Sequence, residues 1–216
     1  MIQLVIFDLD GTLLNTIADL ADSTNYALNQ HHFPLHPTES YRFFVGNGIN
    51  KLFERALPEG EKTIENIANI RKSFLAYYSE HNMDRSEPYP GIPVLLQTLH
   101  EKGIKLAVAS NKYHEATCEL IKHYFPHIPF AAVFGQREGI TPKPDPTIVH
   151  DILAITHTEP GNTLYVGDSG VDMQTANNSR VTACGVTWGF RPRAELEQFH
   201  PHHIVDHPED ILRIIR

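Results

Sequence analysis

The chain has 216 residues, 26 of them Asp or Glu against 18 Lys or Arg, giving a formal net charge of −8 at pH 7 with histidine neutral. A hydrophobic fraction of 41% supports a real core and excludes a disordered chain, while the acidic balance argues against a nucleic-acid partner, which would select a basic stripe. No apolar run approaches the ~18 residues needed to span a bilayer, so no membrane partner is expected.

The N-terminal run Met-Ile-Gln-Leu-Val-Ile-Phe lacks a basic segment and meets Asp8, unlike a signal peptide. It reads as a strand over 3–7. From 16 to 83 only helical patterns follow. Ile49, Leu52, Phe53, Ala56 and Leu57 fall at helical spacing, and so do Ile64, Ile67, Ala68, Arg71, Phe74, Leu75 and Tyr78. Pro88, Pro90 and Gly91 then mark a stiff return. Beyond them helices over 92–101, 114–124, 147–155, 171–178, 193–198 and 209–215 alternate with strands over 105–109, 131–134, 163–166, 181–186 and 203–205. The alternation predicts an α/β fold, a doubly wound parallel sheet with helices on both faces. Its strands are continuously apolar because both faces are covered. Cys118 and Cys184 lie far apart without metal spacing and read as reduced thiols of a cytoplasmic protein. The 14 histidines are scattered, and their clusters at His31–His32 and His200, His202 and His203 read as solvated surface.

Chemistry concentrates at the predicted strand ends. The first strand runs into Asp8-Leu9-Asp10-Gly11, at the carboxyl edge where open parallel sheets bind ligands. The strand over 163–166 runs into Gly167-Asp168-Ser169-Gly170-Val171-Asp172. Ser169 and Asp172 fit a helix capping box, which leaves Asp168 unexplained. Carboxylates from two strand ends suggest a hard-cation site of the Mg²⁺ type. After 105–109 come Ser110 and Asn111, a hydroxyl and an amide suited to phosphate oxygens or to an ordinary helix cap. Thr141-Pro142-Lys143-Pro144-Asp145-Pro146 reads either as a rigid surface loop or as a loop holding Lys143 toward the acids.

Together these segments resemble the haloacid dehalogenase superfamily of aspartate-nucleophile phosphatases. DLDGTL from Asp8, Ser110, Lys143 within KPDP, and GDSGVD ending at Asp172 stand in the family's order. VGNGINKLFERAL from Val45 and VTWGFRPRAEL from Val186 look most like phosphoglycolate phosphatases. The resemblance implies a Rossmann-like core over 1–15 and 84–216 with an inserted small α-helical cap over 16–83. Asp8 would be the nucleophile and Asp10 the general acid and base. Mg²⁺ would be held by Asp8, the main-chain carbonyl of Asp10, Asp168, and Asp172 directly or through water. Ser110 and Lys143 would hold the phosphoryl oxygens, with Thr12 and Asn111 in the same phosphate-binding set. The cap turn Gly46-Asn47-Gly48 would read the substrate, and Lys51, Arg55 and Arg42 are candidates for a substrate carboxylate. Asn15-Thr16 stands where many relatives have Asp-Ser, at the hinge into the cap.

Charge tests the implied mechanism. Asp8, Asp168, Asp172 and a phosphate dianion carry about five negative charges, of which Mg²⁺ and Lys143 return three, so the metal is needed electrostatically. The expected substrate is a small phosphorylated metabolite, phosphoglycolate first, handled by a monomer or homodimer. Pyrophosphatase, nucleotidase and sugar-phosphate mutase chemistry share the same acids. A receiver-like phospho-acceptor module would share the acceptor Asp, the metal and the lysine, but would need neither the cap nor an acid at Asp10. Gly167-Asp168-Ser169-Gly170 imitates a serine-protease motif, in a strand-to-helix context that does not suit one.

Overall fold

The computed structural model describes residues 1–215. In chain order its strands are β1 (Leu4–Phe7), β2 (Leu14–Asn15), β3 (Glu87–Pro88), β4 (Lys105–Tyr113), β5 (Ala132–Gln136), β6 (Thr163–Gly167), β7 (Thr182–Val186) and β8 (His203–Val205). Its α-helices are α1 (Ile17–Gln30), α2 (Tyr41–Phe44), α3 (Ile49–Ala56), α4 (Ile64–His81), α5 (Ile92–Glu101), α6 (His114–Tyr124), α7 (Thr147–Thr156), α8 (Gly170–Asn178), α9 (Arg193–Glu197) and α10 (Ile211–Ile214). None is long and apolar enough to cross a membrane.

The run Leu-Val-Ile-Phe has no polar position to show to water, and β1 lies fully buried inside a six-stranded parallel sheet of order β5-β4-β1-β6-β7-β8. Alternation along β1 divides its side chains between two cores. Val5 and Phe7 pack with Leu96 of α5, Leu120 of α6 and Ile211 of α10. Leu4 and Ile6 pack with Ile152 of α7, Met173 of α8 and Leu196 of α9. The chain leaves β1 toward β4 and β5 on one side and returns to β6, β7 and β8 on the other. This reversal brings the segments after β1 and β6 and the end of β4 to one crevice at the carboxyl edge.

β4 is longer than its sequence suggests. It runs on to Tyr113 through a register shift between Ala109 and Tyr113, so Ser110 and Asn111 lie in the strand and α6 begins only at His114. They do not cap that helix, whose N-cap is Tyr113.

Between β2 and β3 the chain is helical, as its pattern predicts. α1 to α4 enclose a third cluster that includes Leu20, Leu28, Leu52, Phe53, Phe74 and Tyr78, joined from the sheet domain by Phe190. The α4 stripe differs in part from the expected one. Phe74 and Tyr78 are buried, but the third buried position is Ile70, whereas Ile64 is 90% exposed and Ala68 is exposed. Periodicity runs the length of the helix, while burial begins only at Ile70.

The two strands leading in and out of this segment pair with each other, Leu14 opposite Pro88 and Asn15 opposite Glu87. Buried Asp19 of α1 fastens the return strand further, accepting from the Arg85 and Ser86 amides and the Ser86 hydroxyl at 2.6–3.2 Å. Phe53 is fully buried and meets the Phe74 ring edge-on at 5.2 Å. Phe53→Ala is expected to cost about 3–5 kcal/mol of stability by denaturant titration; a loss under about 1 kcal/mol would show that the cluster is not close-packed.

Candidate active site

Lys143 is the most committed side chain in the crevice. Its ammonium lies 3.0 Å from Asp8 Oδ1 and 2.8 Å from Asp172 Oδ1, and donates to the Ala109 carbonyl and Tyr165 Oη at 3.0 Å each. Burial works against its charge, but Asp172 and Asp8 outweigh it and hold the pKa above the usual lysine range. Asn111 fixes the lysine's backbone: Oδ1 accepts from the Lys143 amide at 2.8 Å, and Nδ2 donates at 3.1 Å to both the Lys143 and the Gly46 carbonyls. Asn111 therefore differs from its expected use, since its amide is occupied within the protein and ties the Lys143 loop to the cap turn.

Asp172 is equally occupied. Its Oδ2 accepts from the Ser169 amide at 3.1 Å and hydroxyl at 2.6 Å, completing the capping box of α8, while Oδ1 takes Lys143 and Tyr165 Oη. Asp168 accepts from the Phe190 amide at 2.7 Å and, at 3.4 Å, from the Thr12 hydroxyl. Thr12 is thus placed against Asp168. Gly11 is required beside it: with φ at +86°, any Cβ there would overlap the Asp168 carboxylate.

Asp8, Asp168 and Asp172, all buried, each offer one oxygen within 4.8 Å of the other two. Burial pushes the Asp8 carboxyl up, with Asp172 adding to it, and pushes Asp168 to about 7 for the same two reasons. Three converging carboxylates served by one ammonium form a cluster short of positive charge, built from the hard oxygen donors Mg²⁺ prefers. Asp8 Oδ1 is held by Lys143 and by the Leu9 amide at 2.7 Å. Among the described residues nothing donates a hydrogen bond to Asp8 Oδ2, so this oxygen is free to act. Ser110, buried at the cavity wall, accepts from the Lys112 amide at 3.2 Å and keeps its own proton available.

Asp10 faces a second cation that sequence reading misses. Lys112 Nζ lies 3.1 Å from Asp10 Oδ1, and the Thr16 hydroxyl donates to the same oxygen at 2.7 Å. Thr16 stands at the entrance to α1, so the Asn15-Thr16 departure retains a hydroxyl that reaches Asp10. Lys112 follows Ser110 by two residues, and strand alternation was the available signal for it. Tyr165 and Tyr78 were also missed as site residues, because both read as ordinary apolar core.

A cavity of about 60 Å³ joins these groups, walled by Asp8, Asp10, Ser110 and Lys112 below and by Val45, Gly46, Gly48 and Tyr78 from the helical segment. Of the cap turn, Gly46 and Gly48 line it, while Asn47 instead accepts from Arg55 at 2.7 Å. Arg55 is further engaged by the Phe43 and Phe44 carbonyls, Lys51 by Glu54, and Arg42 lies on a separate groove. None of these three cations reaches the cavity.

Lys143 and Asp172 side chains are 2% and 0% exposed, so removing the lysine leaves a buried carboxylate without its cation. Lys143→Met should cost about 3–5 kcal/mol, and adding Asp172→Asn should restore at least half by double-mutant cycle. A single variant within about 1 kcal/mol of wild type would contradict a charged buried pair.

Comparison with known proteins agrees with this geometry. The model of the haloacid dehalogenase-like hydrolases matches residues 5–186. The chain is 32% identical to a phosphoglycolate phosphatase of Mannheimia succiniciproducens, over 99% of this chain and 98% of that one. It is 31% identical to a phosphoglycolate phosphatase of Mesorhizobium japonicum, over 94% and 90% respectively. The crystal structure of a predicted phosphoglycolate phosphatase from Haemophilus somnus superposes with a TM-score of 0.91 at 30% identity, covering 100% of this chain and 98% of that one. With its motifs gathered at one sheet edge and a family match running from β1 to β7, the chain belongs to the haloacid dehalogenase-like hydrolase family and is phosphoglycolate phosphatase-like within it.

Proposed function

We propose that the protein is a Mg²⁺-dependent phosphatase of small phosphorylated metabolites, phosphoglycolate first among them, working through an aspartyl-phosphate on Asp8. The observation that carries this reading is the asymmetry of Asp8. One oxygen is clamped by Lys143 and the Leu9 amide, and the other carries no hydrogen bond from the described residues. A nucleophile needs that combination of fixed orientation and one open lone pair.

In this scheme Asp8 Oδ2 attacks phosphorus and the ester bond breaks. Asp10 gives its proton to the departing oxygen, then removes one from the water that cleaves the aspartyl-phosphate and returns Asp8 as carboxylate. Ser110 donates to a phosphoryl oxygen, and Lys143 balances charge on the transferring group. Asp8, Asp168 and the main-chain carbonyl of Asp10 would hold Mg²⁺, with Asp172 acting through water because its oxygens are occupied by Lys143, Tyr165 and Ser169. When bound, the metal supplies the positive charge that lets a phosphate dianion approach these carboxylates.

The segment over 16–83 acts here as the cap domain on a core of 1–15 and 84–216, with the paired strands β2 and β3 as its hinge. It closes the cavity from above and excludes water. A receiver-like module is disfavoured by Asp10, which such a module does not need and which here lines the cavity. The free thiols Cys118 and Cys184 suit a reducing cytoplasm.

Phosphate release should vanish in excess EDTA and return with added Mg²⁺; full turnover in chelator would refute the metal's role. On one plate with pyrophosphate, nucleoside monophosphates and hexose phosphates, phosphoglycolate should give the highest kcat/KM, and a higher value for a bulky ester would reassign the substrate.

A further inference from the structure

Lys112 and Tyr78 have no part in the chemistry assigned above. Lys112 comes from β4 and its side chain is 4% exposed. Its Nζ lies 3.1 and 3.4 Å from the two oxygens of the Asp10 carboxylate, its one charged partner among the described residues. Tyr78 comes from α4, and Nζ lies 4.9 Å from the centre of its ring. The Tyr78 hydroxyl is buried, at the cavity wall, and has no hydrogen-bond partner among the described residues. A buried hydroxyl without a partner is costly, and its usual explanation is a group that arrives later.

We propose that Lys112 and Tyr78 form the subsite for a carboxylate on a short leaving group. The inference rests on the phosphatase reading above and deepens it. Asp10 marks where the ester oxygen must lie, since it protonates that oxygen. In phosphoglycolate a single methylene separates the ester oxygen from the carboxylate, so the carboxylate falls beside Asp10. Lys112 already stands there with its charge, and the Tyr78 hydroxyl beside it supplies a second donor. The other cation on the cavity wall, Arg191, is engaged elsewhere: it donates to the Val45 carbonyl at 2.9 Å and lies 3.6 Å from Glu195. A larger leaving group would carry its nearest anion further from Asp10.

The test compares phosphoglycolate with ethyl phosphate, which keeps the methylene of the leaving group and lacks its carboxylate. The wild type should favour phosphoglycolate in kcat/KM by about 100-fold or more. Lys112→Met should shrink that preference by about 10- to 100-fold, chiefly through KM, and Lys112→Arg should recover part of it. Tyr78→Phe removes only the unpartnered hydroxyl, so its melting temperature should match or exceed the wild type while the preference falls about 3- to 10-fold. In an Asp8→Asn background, where turnover is blocked, titration calorimetry should show Lys112→Met weakening phosphoglycolate but not ethyl phosphate. If Lys112→Met depresses both substrates equally and Tyr78→Phe changes neither, the pair merely steadies Asp10 and the subsite is refuted. If the folded wild type releases phosphate from no ester, the phosphatase reading itself fails.

Discussion

The buried ammonium of Lys143, set between Asp8 and Asp172, is the constraint on which the rest of the crevice depends. Removing such charges from water costs several kcal/mol per ion, recovered only when geometry is good and every remaining lone pair is served. The surroundings meet that demand. The Ala109 carbonyl, Tyr165 Oη, the Ser169 cap and the Asn111 clamp each satisfy one more polar group of the pair. The result is a rigid lysine that holds one oxygen of Asp8 and leaves the other open. The carboxylates outnumber the ammonium, and that deficit is what a divalent cation and then a phosphate would complete.

A second acid–lysine pair works at the junction with the helical segment. Asp10 is held by Thr16 at the start of α1 and by Lys112 from β4, and Tyr78 of α4 closes over the lysine. Three elements from two parts of the fold therefore meet at the proposed acid. Arg191 and Asn111 add contacts of the same kind, reaching carbonyls of the turn that carries Gly46. In this position the helical segment is coupled to the chemistry through hydrogen bonds to side chains of the crevice, beyond the two strands that connect it.

Most of the sheet was legible in the sequence because its strands are short apolar runs closed by turn or polar residues, a pattern with few other solutions. Asp8, Asp10 and Asp168 could be found because each stands at a strand end, where the topology allows a ligand. Lys112 escaped because β4 was expected to stop at residue 109, and four more residues of strand turn a supposed helix cap into a cavity wall. The phosphate role of Asn111 and Thr12 rests on the family resemblance and, for Asn111, on its place at a strand end. Which acceptor an amide or hydroxyl finds is decided by distant neighbours such as Lys143 and Asp168, and no local pattern records that choice. Tyr78 was placed correctly on a buried stripe, yet its pattern describes the ring and says nothing about the hydroxyl. Ile64 and Ala68 share the periodicity of that helix, and sequence cannot show where along it the covering ends.

The central claim, that the open oxygen of Asp8 is the nucleophile, is tested most directly by trapping. With Asp10 replaced by Asn both half-reactions slow, so the ester is one whose leaving group departs without a proton, ³²P-labelled p-nitrophenyl phosphate, and acid quenching after its reaction with Mg²⁺ should leave label on the protein. Mapping of the hydroxylamine-sensitive label should place it on Asp8, and Asp8→Asn should abolish it. A wild-type enzyme that turns over while no label can be trapped, or label found at another residue, would contradict the account.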